Sequence, residues 1–141
     1  MWRRVLLPAG TSLGELHHVA QIALEWDDDH LHVFTVDGIG YADPNHGLDG
    51  CGDEETITLA SALPRPGAKP AYRYDLGDCW DHTVLLEKVL PPDPGARPAC
   101  VGGRAPVEDW HHDEPPPPRP FRPAEIDARL AELDTPEGSL R

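Results

Sequence analysis

Two histidines near the start of a predicted strand form the first pattern that could do chemistry. His30 and His32 lie two residues apart in a segment of branched and aromatic residues, so both imidazoles project from one face, with Cβ atoms roughly 6–7 Å apart. The pair suits a divalent metal, whose other ligands would come from Asp78, His82 or Cys100. In the alternative interpretation, the two imidazoles hydrogen-bond to backbone at the end of the sheet and to the acidic residues just before them.

A second polar group brackets the turn of a predicted hairpin. It consists of Asp75, Asp78 and His82, and a carboxylate beside a histidine can orient the imidazole for general acid–base catalysis. The alternative is turn chemistry, in which Asp78 accepts hydrogen bonds from neighbouring backbone N–H groups. If both turn regions lie at the same end of the sheet, His30, His32, Asp78 and His82 converge on one site.

Three further polar segments have simpler explanations. Cys100 is a ligand or a reactive thiol in one interpretation and a packed thiol in the other, which is favoured because no base or cation stands beside it. Residues 111–114 (HHDE) could hold a metal adventitiously but are typical of a solvated linker. Residues 43–49 alternate oxygen-bearing side chains as a calcium loop does, yet Leu48 stands where that loop needs Gly.

The first elements that position these groups are a strand and a helix. Trp2 to Leu7 is rich in β-formers and predicts a strand. Ser12 followed by Glu15 has the spacing of a capping box, so we predict a helix over residues 12–25. Its apolar stripe comprises Leu13, Leu16, Ala20, Ala23 and Leu24.

Two hairpins follow the helix. His30 to Val36 predicts a strand, and Asp37-Gly38 supplies the positive φ angles of a two-residue type I′ turn before the returning strand. Residues 42–55 are rich in Gly, Pro and acidic residues and predict a surface loop. Tyr72 to Leu76 and Trp80 to Leu90 predict the second hairpin.

The amino-acid composition changes towards the end of the chain. Proline-rich sequence begins at Pro91, and Ala124 to Leu133 resumes helical spacing after Pro123, without indicating whether this helix docks or frays. We therefore predict an α+β fold: a mixed or antiparallel sheet of about five strands, one long helix packed on it, a Pro-rich tail and a C-terminal helix. The predicted parts are a domain over residues 1–110, a linker over 111–123 and a helical tail over 124–141.

The charge and the cysteines exclude several classes of protein. Lys and Arg total 12 against 25 Asp and Glu, a net charge of −13. Nucleic acid is not expected as a partner, because its phosphates require clustered cations, whereas an acidic surface favours solubility or a basic protein partner. Three widely spaced cysteines, no leader peptide and no apolar run near about 20 residues predict a cytoplasmic protein outside the membrane.

Four segments together match the pattern of a known family. They read WRRVLLPAG, LGELHHVAQIALEWDDDHLHVF, YRYDLGDCWDHTVLLEKVL and PACVGGRAPVEDW, in this order. Through them the chain resembles the plasmid pRiA4b ORF-3-like family over about residues 2–110. The resemblance implies a small α+β protein, largely uncharacterised, whose relatives often carry the label of TnpR-type resolvases of mobile elements. His30 and His32 both fall inside the family's motif.

The chain departs from this family pattern in two places. Family members have another half-strand before the WRR segment, so an edge strand is expected to be shortened or absent here, and a second copy covering the exposed edge would form a homodimer. Members also carry a second cysteine, followed by a Gly-Gly-Pro stretch and an added helical region, in the part that here begins at residues 104–109. Any site that used that cysteine is therefore in doubt.

The chain lacks the residues that the chemistry of a serine resolvase requires. A serine recombinase needs a nucleophilic Ser among several Arg residues and a basic DNA-binding module. Ser12 is committed to the predicted helix cap, Ser61 and Ser139 lack arginine clusters, and the net charge has the wrong sign. We predict that the chain is not a recombinase.

The leading functional hypothesis is a non-enzymatic binding or accessory module with an unknown protein partner. In this interpretation no cofactor is expected. The rival hypothesis is a small metal-dependent enzyme built on the His/Asp cluster, with a divalent metal held by His30, His32 and His82.

Overall fold

The computed structural model describes residues 2–26, 31–48, 50–64, 70–74, 80–91, 95, 97–104 and 122–133. The chain divides into two compact units: unit 1 comprises residues 1–8, 18–27 and 95–141, and unit 2 comprises residues 9–17 and 28–94. The fold is α+β, as predicted, with a five-stranded mixed sheet and a second, two-stranded sheet. In the described part of the chain, no helix combines the length and the apolar character that a membrane crossing requires.

Helix α1 (Leu13–Leu24) begins at the predicted capping box. The backbone N–H of Ser12 donates to Glu15 Oε2 at 3.3 Å, and the Glu15 N–H donates to Ser12 Oγ at 3.1 Å, which confirms the reciprocal pair. The helix ends in a Schellman motif, since Trp26 N–H donates to Gln21 O at 2.9 Å and Glu25 has a positive φ of 56°. Local hydrogen bonding therefore sets both ends of this helix.

Unit 2 contains the five-stranded sheet, in the order β4-β3-β2-β5-β6. The strands are β2 (His32–Val36), β3 (Ile39–Ala42), β4 (Gly52–Asp53), β5 (Ala71–Tyr74) and β6 (Trp80–Thr83); the β3–β4 pair is parallel and the others antiparallel. The turn between β2 and β3 has φ of 50° at Asp37 and 81° at Gly38, as the predicted type I′ turn requires.

The second hairpin is shorter than its sequence predicted. Strand β6 ends at Thr83, and Val84 N–H still donates to Pro70 O at 2.9 Å, but the apolar residues that follow pair with no strand in the described part of the chain. Leu85 and Val89 are exposed there. A run of β-formers therefore did not by itself extend the strand beyond Thr83.

The segment predicted as a surface loop has more structure than expected. Residues 42–55 include a short 3₁₀ helix (Pro44–His46), strand β4 and the start of a second 3₁₀ helix (Glu54–Thr56), before α2 (Leu59–Ala62). Glu54 is buried, so the prediction of a surface loop was wrong at this position. Backbone bonds from Leu13 N–H to Ile57 O and from Leu59 N–H to Thr11 O bring this part of the chain to the start of α1.

In unit 1 the first strand of the chain pairs with the last. Strands β1 (Trp2–Leu6) and β7 (Ala99–Arg104) form an antiparallel two-stranded sheet with an irregularity between Arg4 and Val5. Helix α3 (Pro123–Ala131) starts with Pro at its first position, as predicted, and docks rather than frays. Its buried residues join those of α1 and β7 in one cluster of Val19, Ala23, Cys100, Ile126 and Leu130. The predicted boundaries at residues 110 and 123 stay a prediction, because residues 105–121 lie outside the described residues.

Candidate functional site

A buried polar cluster in unit 2 gathers side chains from four elements. It consists of His17 on α1, His32 at the start of β2, Glu54 at the start of a 3₁₀ helix and Tyr72 on β5. None of the four is more than 4% exposed. Buried polar side chains of this kind lower the stability of a protein unless they are hydrogen-bonded.

The closest contact in this cluster joins an imidazole to a carboxylate. His32 Nε2 lies 2.5 Å from Glu54 Oε1. Because an ionised carboxylate can only accept, Nε2 is the donor in this bond. The other ring nitrogen of His32, Nδ1, is buried and has no hydrogen-bond partner within the described residues. Leaving a buried polar atom without a hydrogen-bond partner costs roughly 1–3 kcal/mol.

The second imidazole lies flat against the first. The ring centroids of His17 and His32 are 3.5 Å apart, with an angle of 9° between the planes. His17 Nδ1 lies 2.7 Å from the Tyr72 hydroxyl, so this ring has its own polar partner. The stack therefore buries two imidazoles face to face, each with its own polar partner.

A glycine in the first turn of α1 makes room for the acidic side of the cluster. A Cβ at Gly14 would stand 1.7 Å from Glu55 Oε1 and 3.0 Å from Glu54 Oε2. The Ser12 hydroxyl donates to Glu55 Oε2 at 3.0 Å. Both carboxylates therefore approach the N-terminus of α1, where the exposed N–H groups and the helix dipole favour negative charge.

The structure describes two of the sequence-predicted site residues, His32 and His82, and does not bring their imidazoles together. His32 and His82 lie on one face of the sheet but two strands apart, and the Tyr72 ring stands between them, 6.1 Å from His32 and 6.5 Å from His82. The two imidazoles are thus not neighbours. His30, Asp75 and Asp78 lie outside the described residues, so the predicted convergence and the metal ligand set stay predictions. Among described residues, no three His, Cys, Asp or Glu side chains are arranged to hold a metal ion.

The other candidates have local structural roles. Cys100 is 3% exposed in the unit 1 core, which confirms a packed thiol, and burial raises its pKa. In the calcium-like segment, Asp43 Oδ1 accepts from Asn45 N–H at 2.9 Å, and this bond lowers the pKa of Asp43. Asp53 caps the next 3₁₀ helix in the same way. Residues 111–114 lie outside the described residues.

An exposed surface in unit 1 also stands out, and we call it the Trp2 face. It comprises the exposed residues of the β1–β7 sheet: Trp2, Arg4 and Leu6 alternate along β1, Arg104 lies opposite Trp2, and Val101 lies at the irregularity on β7. Trp2, Leu6 and Val101 are 44%, 42% and 50% exposed. The Arg4 guanidinium lies 5.0 Å from the centroid of the Trp2 ring, a cation–π geometry. Apolar and cationic groups are thus combined on one side of an acidic protein.

Sequence reasoning did not include His17, Glu54 and the Trp2 face among its candidates. His17 follows Leu13 by four residues and so lies on the apolar stripe, where a histidine signals a buried polar contact. Glu54 gives no such signal, because its burial depends on the chain returning to α1. The alternation of Trp2, Arg4 and Leu6 along β1 indicates one shared face, but only the structure shows that this face is exposed.

Comparison with known proteins places the chain among uncharacterised relatives. The sequence model of the plasmid pRiA4b ORF-3-like protein family matches residues 1–112. The uncharacterized protein y4hQ of Sinorhizobium fredii is 34% identical over 120 residues, covering 79% of this chain and 62% of that protein. The crystal structure of the protein of unknown function MM3350 from Methanosarcina mazei Go1 is similar, with a TM-score of 0.62, 32% identity and coverage of 72% of this chain and 60% of the other. The chain thus spans about three-fifths of the length of both relatives.

Proposed function

The chain belongs to the plasmid pRiA4b ORF-3-like family, and on that premise we propose that it is a non-enzymatic binding module whose protein partner docks on the Trp2 face. The observation that carries the proposal is the exposure of Trp2, Leu6 and Val101 on this two-stranded sheet, together with two exposed arginines. Trp and Arg are the residues most enriched among the energetic centres of protein interfaces.

The buried cluster supports a structural role for its histidines. A general base must come within hydrogen-bonding distance of the proton that it removes. His32 and Glu54 are instead bonded to each other at 2.5 Å, with exposures of 2% and 4%, and the ring of His17 covers one side of His32. A substrate would have to displace packed side chains to reach this imidazole.

The experiment that tests the proposal compares two equally exposed positions. A photo-crosslinking amino acid at Val101 reports the Trp2 face, and the same group at Ile39 is the control, since the two side chains are 50% and 54% exposed. In a lysate of the source organism, we expect a discrete cross-linked protein at Val101 that is absent at Ile39 and lost in a Trp2→Glu background. Equal products at both positions, or a Val101 product unaffected by Trp2→Glu, would contradict the proposal.

One observation favours the rival metal-dependent enzyme. His32 Nδ1 is a buried nitrogen without a hydrogen-bond partner in the described residues, and such a nitrogen is available as a metal ligand. Elemental analysis of the purified protein decides between the hypotheses. Stoichiometric zinc, iron or manganese that disappears in a folded His32→Gln variant would favour the enzyme, whereas no metal and an unchanged Tm in chelator would favour the binding module.

A further inference from the structure

We infer that Arg3 is a positioning residue of the Trp2 face, because its guanidinium holds the strand end that presents Trp2 to the partner protein. This inference rests on the proposed function and names a residue on which docking depends without contact to the partner. Side chains alternate between the two faces of a strand, so Arg3 points away from the side on which Trp2 and Arg4 are exposed. A docked partner therefore meets the indole of Trp2, while Arg3 lies on the other side of the strand.

The Arg3 guanidinium donates to backbone carbonyls of three different elements. Its Nε donates to Ala23 O in the last turn of α1 at 3.0 Å, and its Nη1 donates to Trp2 O at 2.9 Å and to Arg104 O at 3.1 Å. The last two carbonyls belong to residues that lie opposite each other at one end of the β1–β7 ladder. One half-buried side chain thus ties both strands to the helix, through the planar fork of donors that distinguishes arginine from lysine.

The strand end that Arg3 holds is short and lies opposite glycines. The register shifts between Arg4 and Val5, and three described residue pairs lie on the Trp2 side of this irregularity. In two of them β7 contributes Gly102 or Gly103, which has no side chain to pack against β1. The ends of a ladder open more readily than its centre. The bonds from Arg3 therefore supply order that cross-strand side chains do not supply at these two pairs.

The rest of β1 is held by apolar packing instead. Val5 packs against the buried cluster of unit 1, to which Ala23 of α1 belongs. Helix α1 thus holds the strand in two ways, through its core side chains beyond the irregularity and through the Ala23 carbonyl at the end that carries Trp2. Loss of the Arg3 bonds should loosen this end alone, because the packing of Val5 does not depend on them.

Two substitutions separate the geometry of the Arg3 side chain from its charge. Arg3→Met keeps an unbranched stem and removes both the donors and the charge. Arg3→Lys keeps the charge but replaces the fork of donors by a single ammonium group. If the fork positions Trp2, Arg3→Lys behaves like Arg3→Met. If the positive charge alone matters, Arg3→Lys behaves like wild type.

Two control variants report general effects. Val19→Ala removes apolar volume from the same unit, where Val19 is 2% exposed, without removing any bond of Arg3. Arg129→Met changes an exposed arginine on α3. Far-UV circular dichroism establishes that each variant is folded. If Arg3→Met does not fold, Arg3→Lys decides.

Two readouts are measured on the full chain. Amide exchange by NMR compares Trp2–Arg4 with the rest of β1, and the photo-crosslinking group at Val101 reports the yield of the Trp2-dependent product in the lysate. We expect both Arg3 variants to speed exchange at Trp2–Arg4 by about tenfold relative to the rest of β1, the equivalent of one charged hydrogen bond. We expect the cross-link yield to fall by about fivefold in both, and to stay unchanged in Val19→Ala and Arg129→Met.

Three results would overturn the inference. A wild-type yield in Arg3→Lys would mean that charge alone matters. Unchanged exchange at Trp2–Arg4 in the Arg3 variants would mean that Arg3 does not hold the strand end. An equal loss of yield in Val19→Ala would mean a general loss of stability. If wild type itself gives no Trp2-dependent product at Val101, the proposed function fails, and the exchange rates alone decide whether Arg3 fixes this strand end.

Discussion

The bond between His32 and Glu54 makes a sharp prediction about stability. Removing either side chain leaves the other buried without its partner, and breaking a buried charged pair costs about 3–5 kcal/mol. We expect Glu54→Ala to lower the free energy of unfolding by about 3 kcal/mol, and Glu54→Gln by only about 1 kcal/mol, because the amide oxygen still accepts from Nε2.

A double-mutant cycle measures the bond itself. The variants Glu54→Ala, His32→Ala and their combination are unfolded in urea and followed by tryptophan fluorescence. Because each single change already removes the contact, the double variant should lose less than the sum, with a coupling energy of about 1.5–3 kcal/mol. The matched control is Glu125→Gln, whose 65% exposed side chain pairs with Arg122 at 3.3 Å and should cost less than about 0.5 kcal/mol.

The reasoning about the buried cluster would be refuted by a small coupling. A value below about 0.5 kcal/mol, or a Glu54→Ala variant within about 1 kcal/mol of wild type, would mean that Glu54 and His32 do not depend on each other in the native state. Far-UV circular dichroism of each variant checks that the native fold is retained before unfolding is measured.

Three further predictions concern packing and pH. Gly14→Ala should lower the free energy of unfolding in urea by about 1–2 kcal/mol, although alanine favours helix, because Glu55 must leave its bond to Ser12. An unchanged or higher free energy of unfolding would contradict the close approach of Glu55 to Gly14. Leu130→Ala should cost about 2–5 kcal/mol in the same assay if α3 docks through its fully buried face, and a neutral effect would mean that the helix frays. Burial raises the pKa of Cys100, so above about pH 8.5 the unfolded chain releases this proton before the native state does, and stability falls with rising pH. The urea midpoint should therefore fall less between about pH 8 and 10 in Cys100→Ala than in wild type. An equal fall in both proteins would refute this prediction.

Local sequence signals predicted the elements well. The Ser12 and Glu15 pair set the start of α1, Asp37-Gly38 set the first hairpin, and Pro123 set the start of α3. Each depends on interactions within a few residues, which spacing alone can reveal. Strand β6 is the exception, because it ends at Thr83, before most of the apolar run that predicted it.

The candidate site was less predictable because it depends on contacts far apart in sequence. Of the predicted cluster, His32 lies on the buried face of β2, whereas the sequence suggested a solvent-accessible site, and its bonded partner Glu54 lies 22 residues away in a segment that looks solvated. His82 shares that sheet face, yet the Tyr72 ring separates it from His32, a consequence of strand order that no local pattern reveals.

Hydrogen exchange along β1 tests most directly that the Trp2 face is the surface on which the partner protein docks. The amides of Trp2–Leu6 are followed by NMR with and without a saturating concentration of the protein that cross-links at Val101. We predict slower exchange at the β1 amides, with the five-stranded sheet unchanged. Protection confined to unit 2, or no change in β1, would contradict the account.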